Sequence, residues 1–579
     1  MNCPSRPDDT LDRPDWNQNP PFLNADGTTR QDLNGISNAR EQRDHVSKTA
    51  GAASATTLPS EIQQNREDVG ETEPTEKPAG GGVETATSQL EQPESASRFP
   101  HLSVFPKNFP PFQRAIQAIA KLARFVGPGF LVAVAYIDPG NYSTDVAAGA
   151  DTKYALLFVV LMSNLFAIFL QSLCIKLGSV TGLNLAENCR AHLPRWLTII
   201  LYIFAEAAIV ATDIAEVIGS AIALNLLSDN KIPLVAGCAI TLADVLFLLI
   251  FYRPNGSMLG LRAFEYFVMA LVLGVVICFC IQLSLIRNQS IGEVFRGYVP
   301  SADVIRGNGL YQSCGILGAT VMPHSLFLGS GIIQPRLKSF DVAQGYVNPD
   351  VPVGSNGGEV EYRPSVDAIR SCMKYSIAEL VLSLFTFALF VNSAILIVAG
   401  AALYGTPGAG DADLFGIYDL LSGSISPAAG TIFALALLLS GLSAGIVCTM
   451  SGQMVSEGML RWSIKPWLRR LITRSISIIP SIAIAGAVGK DGLNATLNAT
   501  QVVLSVILPF VTAPLIYFTC RNRYMTVRCG ESTGEGDDTS VESAKMRNNW
   551  FIAILGVLIW LVIAIMNIAL LVLVGLGKA

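Results

Sequence analysis

The chain has 579 residues, of which 51% are hydrophobic and only 15% charged, against roughly 25% charged residues in soluble domains. This excludes an ordinary soluble domain and places most of the chain in lipid. The formal charge of −5 is unevenly spread: residues 1–110 hold 17 Asp and Glu against 10 Lys and Arg, leaving the rest slightly basic, and no nucleic-acid partner is expected.

Residues 1–112 are rich in Pro, Gly, Ser, Thr, Asp and Glu with no apolar periodicity, the composition of a disordered tail. No apolar h-region of a signal peptide is present. The tail is expected to lie in the cytosol, either as a passive solvated segment or as a platform for trafficking or ubiquitination factors. Residues 113–579 form the transmembrane domain, in which hydropathy predicts eleven helices of bilayer-spanning length. They cover 126–149, 154–176, 196–227, 232–252, 263–286, 307–334, 375–404, 426–454, 472–489, 497–519 and 549–577. Alternate connections carry 20 basic residues on one side against seven on the other. By the positive-inside rule the N-terminus is cytosolic and the C-terminus lies opposite. Asn288-Gln-Ser290 and Asn494-Ala-Thr496 fall on the outer side, where glycosylation is allowed. Plasma, endosomal and vacuolar membranes all fit a multi-pass protein of this kind.

The first span is interrupted at its middle by Asp138-Pro139-Gly140-Asn141, and the sixth by Met322-Pro323-His324. Non-helical backbone at membrane depth survives only where it lines a protein cavity. Paired broken helices in two halves point to a transporter's midplane site. The sixth span comes five after the first, so spans 1–5 and 6–10 have opposite orientations, the layout of a 5+5 inverted repeat with an eleventh helix appended. A carboxylate at such depth is costly and usually functional, which makes Asp138 a hard anionic ligand or a helix cap. Asn141 offers an amide oxygen, or only a side chain tolerant of an unwound turn. Pro323 has no N–H for the Ala319 carbonyl and Pro139 none for that of Ala135, and a freed carbonyl is a ready cation ligand. Met322, ordinarily a packing residue, becomes beside such a carbonyl a soft thioether ligand. Ca²⁺ and Mg²⁺ want all-oxygen shells, whereas this mixture suits Mn²⁺, Fe²⁺ and softer neighbours.

DPGN in the first span, ATVMPH in the sixth and ATDIAEVIGSAIALNLL (211–227) in the third together resemble the Nramp family of proton-coupled divalent-metal transporters, in the manganese and iron transporters of fungal type. The resemblance runs from about residue 115 to the end. It implies an all-α membrane fold, the LeuT-like inverted repeat with helices 1 and 6 broken. It also implies Asp138, Asn141, Met322 and the Ala319 carbonyl as metal ligands, with Gln501 in LNATQVVLS joining the shell in some conformations. No cofactor is implied: the metal is cargo and H⁺ the coupling ion.

The third span carries Glu206, Asp213 and Glu216, whose spacing puts all three within about 80° of one helical face. They are read as proton carriers together with Asp138, or as a salt-bridged structural network, with Arg469 and Arg470 as partners entering the ninth span. His324 is either a core histidine or a proton group; the family's frequent second histidine, five positions on, is Gly329 here. Against the leading expectation, metal carried into the cytosol with protons, stands a cation-coupled symporter of amino acids or other small solutes on the same fold, which would have no need of a thioether. An intramembrane metalloenzyme is disfavoured by the lack of HExxH, so no enzyme activity is expected.

Overall fold

The computed structural model describes residues 127–241, 258–286, 289–348, 362–405, 413–460, 466–487, 489–528 and 543–576. The N-terminal tail and most of the fourth predicted span lie outside these residues, although 234–241 are helical.

The first span is two helices, α1 (Pro128–Val134) and α2 (Pro139–Thr152). Pro139 takes the first helical position, where its fixed φ is suited and its missing N–H costs nothing. Before it the helix tightens, the amides of Ala135, Tyr136 and Ile137 bonding three residues back, and Asp138 is extended at φ −109°, ψ 167°. Next come α3 (Leu157–Thr181), the capped turn α4 (Leu185–His192), the 33-residue α5 (Arg195–Leu227) and α6 (Met258–Leu285). After the short α7 (Ile291–Arg296), the sixth span repeats the break. Here α8 (Gly309–Thr320) stops, Val321 and Met322 are non-helical, and α9 (Pro323–Gly331) restarts on Pro323.

This span then runs on through α10 (Gln334–Ala343), further than the predicted limit of 334. Span 7 likewise begins early: α11 (Val366–Ser383) passes through a π turn at Leu384–Ala388 into α12 (Leu389–Ala402). The remaining helices are α13 (Leu414–Ser424), α14 (Pro427–Leu460), α15 (Pro466–Ala487), α16 (Gly489–Cys520) and α17 (Trp550–Gly575). The hairpin β1 (Thr526–Arg528) with β2 (Ser543–Lys545) precedes α17. Neither α13 nor the hairpin was expected, being too short to register as a span.

Among the described residues, eight helices are long and apolar enough to cross a membrane. Their burial orders them. The most apolar stretch of the sixth span is wholly buried, whereas only 22% of that of α17 is, so the broken span is central and α17 lies at the lipid rim. The break of the first span is buried equally deeply, with Tyr136, Asp138 and Tyr142 at 0% exposure. Spans 1 and 6 thus meet inside a shell of continuous helices. Of these α5 touches the first break directly: a Cβ on Gly219 would overlap the Pro139 ring.

Candidate metal site and buried ion-pair cluster

Asp138 caps α2, its Oδ1 accepting from the Asn141 amide at 2.9 Å, as an N-cap carboxylate should. The cap uses one oxygen. Oδ2 is buried with no hydrogen-bond partner, and an orphaned anionic oxygen in a dry interior is expensive enough to require an explanation. Asn141 spends its Nδ2 on the Tyr136 carbonyl at 2.8 Å, a bond shared by Asn392 Nδ2 at 3.0 Å. The Ile137 carbonyl accepts from Ser440 at 2.6 Å. Side chains therefore satisfy the carbonyls released at Tyr136 and Ile137, while Pro139 leaves Ala135 none of the usual amide.

At the second break Ala319 and Met322 are 0% exposed. Met322 is extended at φ −70°, ψ 126°, and the neighbouring Thr320 Oγ1 is buried without a partner. Gln501 of α16 reaches the first break from the side. A Cβ on Gly140 would collide with its amide, so the glycine gives Gln501 its place next to Asn141. Gln501 donates through Nε2 to Thr500 at 3.2 Å, and its Oε1 is buried and unpartnered. A carboxylate oxygen and an amide oxygen thus stand orphaned at the first break, and a thioether is fully buried at the second. Acceptors without donors are what a cation requires.

A second cluster lies on α5. Arg474 of α15 pairs with Asp213 and reaches Glu216 Oε2 at 3.2 Å, with all three side chains at most 3% exposed. Ser477 donates to the other Asp213 oxygen at 2.8 Å. The Cys448 thiol completes a group close enough to hold a metal, but the guanidinium already supplies the positive charge there. His324, at 1% exposure, shares a 3.3 Å hydrogen bond with Thr212, the residue before Asp213. One hydrogen bond therefore joins the sixth-span break to the helix that carries the acids.

The third acid stands apart. Glu206 shares the face of Asp213 but lies seven residues, about 10 Å, further down the helix. It lines a cavity of about 650 Å³ between α5 and α16 with Tyr202, Thr496 and Thr500. The expected single set of three carboxylates is thus two acids on an arginine and one beside a crevice. Arg469 and Arg470, named as partners from the sequence, sit on α15, but their side chains lie outside the described residues. Arg474, one turn after Arg470 and so on the same face, is the arginine found on the acids. Arg474 falls inside the predicted ninth span, but Arg469 and Arg470 at its entrance were named as the partners instead.

The matches to known proteins agree with this geometry. The model of the Nramp family, described as natural resistance-associated macrophage protein-like, matches residues 129–530. The chain belongs to the Nramp family. Among Nramp relatives, the manganese transporter SMF1 of Saccharomyces cerevisiae is 51% identical over 79% of this chain and 86% of its own length. The manganese transporter pdt1 of Schizosaccharomyces pombe is 52% identical over 80% and 88%. A crystal structure of the Eremococcus coleocola manganese transporter, in complex with an aromatic bis-isothiourea compound, aligns with a TM-score of 0.63 and 32% identity, covering 80% of this chain and 88% of that one. The fold is the LeuT-like arrangement expected from the two broken helices, in a multi-pass membrane protein.

Gly329 accounts for the histidine that the family pattern often has there. A Cβ at this position would overlap Gln171 Oε1. Gln171 Nε2 lies 2.9 Å from Tyr136 Oη and 2.9 Å and 3.0 Å from the hydroxyl and carbonyl of Ser325. Tyr136 Oη and Ser325 Oγ are themselves 3.1 Å apart. Nothing in the sequence marked this knot, since Gln, Tyr and Ser on three separated stretches of chain form no motif.

Proposed function

We propose that the chain carries divalent transition-metal ions, Mn²⁺ and Fe²⁺ foremost, into the cytosol, with protons moving the same way. The observation that carries the reading is the unpartnered Asp138 Oδ2 at a doubly broken midplane. The manganese transporters among its relatives support the choice of cargo. Asp138, Asn141, the Ala319 carbonyl, Met322 and Gln501 are the proposed ligands: oxygens to replace lost water, and one sulfur to disfavour Ca²⁺.

Asp138 serves metal and proton alike, since a carboxylate that binds one must release the other. His324 with Thr212, then Asp213 and Glu216 against Arg474, offer the proton a way out, with Glu206, Arg469 and Arg470 as further members of that route. The N-terminus is placed in the cytosol and the C-terminus opposite, in the plasma membrane or an endosomal or vacuolar one, with the tail as the place for trafficking or ubiquitination factors.

The test is uptake of Mn²⁺ into proteoliposomes with internal pH recorded. Wild-type protein should take up more Mn²⁺ as external pH falls and acidify the lumen as it does so. Asp138→Ala should fold and transport nothing. Near-normal uptake by that variant would refute the metal site, and uptake with no pH response would refute the coupling.

A further inference from the structure

The crevice between α5 and α16 holds about 650 Å³, the size of a small-molecule pocket, and its polar groups are all of one kind. Glu206 presents a carboxylate whose Oε2 is buried without a hydrogen-bond partner. Among the described residues no Lys or Arg pairs with it. The Thr496 hydroxyl donates to the Gly492 carbonyl at 2.8 Å, and that of Thr500 to the Leu497 carbonyl at 2.7 Å. The Tyr202 hydroxyl, one turn before Glu206, gives its proton to that carboxylate. Every hydroxyl proton of the lining is thus spent within the wall, and these side chains leave an occupant only acceptor oxygen.

That inventory narrows the occupant. An anion finds no donor. A hard metal ion wants about six oxygens, whereas the rest of the lining is apolar. Ile203 and Val503, both in the wall, are 57% and 46% exposed. On spanning helices such side chains face lipid, so the crevice is reached from the bilayer. A phospholipid with an ammonium headgroup would bring a phosphate beside it, and no basic side chain in the wall would receive the phosphate. What remains is a cation with N–H groups to give, carried on an apolar body.

We propose that this crevice binds an amphipathic organic ammonium ion, with the charge on Glu206 and the apolar body along the wall, and that the occupant slows transport. The two walls connect it to the transport machinery. Thr500 accepts from Gln501 Nε2 at 3.2 Å, so one wall is a single hydrogen bond from a proposed metal ligand. The other wall, α5, carries Asp213 and Glu216. A body wedged between α5 and α16 opposes movement of one helix past the other. Binding needs no metal, while the effect on uptake rests on the proposed metal transport. Because the ammonium ion and Mn²⁺ occupy different places, excess Mn²⁺ does not displace it.

The probe is adamantylamine, a compact primary ammonium ion, with adamantanol as the neutral counterpart of the same shape. Calorimetric titration of the purified full-length protein in detergent, without metal, should show the amine binding about tenfold more tightly than the alcohol, the worth of one charge-assisted contact. Glu206→Gln should lose that preference. It is read in binding alone, since the carboxylate also stands on the proposed proton route. Val503→Trp fills the crevice and is none of the proposed ligands or proton groups. It should abolish amine binding and keep Mn²⁺ uptake within about twofold of wild type. In phosphatidylcholine vesicles the amine should lower the maximal rate of Mn²⁺ uptake by wild type without raising its KM, and Val503→Trp should be resistant.

Equal binding of amine and alcohol would make the crevice a groove for lipid tails and overturn the proposal. So would unchanged amine binding in Glu206→Gln or in Val503→Trp. Adding phosphatidylethanolamine to the vesicles should leave the inhibition as it was; relief would hand the crevice to a lipid headgroup and overturn the simple amine. If the amine binds as expected but uptake is untouched, or if excess Mn²⁺ restores it, the control of transport falls and the binding site stands. A wild type that binds the amine but carries no Mn²⁺ would overturn the metal-transport reading and leave the site in place.

Discussion

Removing one charge at the foot of α1 should cost more than removing two. Arg336 meets Glu265 of α6 through two hydrogen bonds of 3.0 Å and 2.9 Å, with the side chains 6% and 3% exposed. Beside them Glu379 of α11 accepts from the amides of Gly127 and Gly129 at 2.6 Å and 3.1 Å, holding the start of the broken helix. Gly127 has φ 150°, and any Cβ there would strike the Glu265 carboxylate. Arg336→Met leaves Glu265 buried with no cation. Breaking a buried pair in this way costs about 3–5 kcal/mol, and burial this complete leaves little solvent screening to reduce it. Glu265→Leu with Arg336→Met leaves no orphan of that pair, and an apolar replacement of both partners is often near neutral. Unfolding of the four proteins of the cycle in one detergent should give a coupling energy of at least about 2 kcal/mol. A double variant destabilised by the full sum of the singles would refute the reasoning.

Met322→Ala should change selectivity more than throughput: Cd²⁺ uptake should fall about tenfold further than Mn²⁺ uptake, and millimolar Ca²⁺ should begin to inhibit. An unchanged Cd²⁺ to Mn²⁺ ratio would reduce Met322 to packing. Glu216→Gln keeps a hydrogen-bond acceptor for Arg474 but removes a charge, so proton movement per Mn²⁺ should fall while Mn²⁺ affinity stays within about twofold. Dye-reported luminal pH alongside metal uptake measures both. Gly329→His should not restore a second proton group. Its Cβ lands on Gln171, so it should destabilise the protein by about 1–3 kcal/mol, the usual result of overpacking, read from thermal unfolding in detergent.

The two breaks were legible in the sequence because they are written in the few residues that cannot continue a helix cheaply: Pro139 and Pro323, next to an acid and a thioether. The pairing of the acids was not. A helical wheel records angle and ignores rise, which is how Glu206 came to be grouped with Asp213 despite an axial gap of about 10 Å. Arg474 was passed over for Arg469 and Arg470 at the entrance of the same helix. The orphaned oxygens of Asp138 and Gln501 were invisible for a different reason. Being unpartnered is a property of the neighbourhood, and only the packing of the helices around the break creates it.

The contacts of Gln171 tie the two breaks to one side chain of α3. A single amide bonds both the first break, through Tyr136, and α9, through Ser325, so parting either from α3 breaks a hydrogen bond. Hydrogen bonds of this kind contribute about 0.5–1.5 kcal/mol each. Three of them together weigh about 1.5–4.5 kcal/mol against opening. Every group in the latch is neutral. Acidification, which reaches carboxylates elsewhere, leaves it untouched. The latch itself therefore adds no pH dependence to the parting of the two breaks.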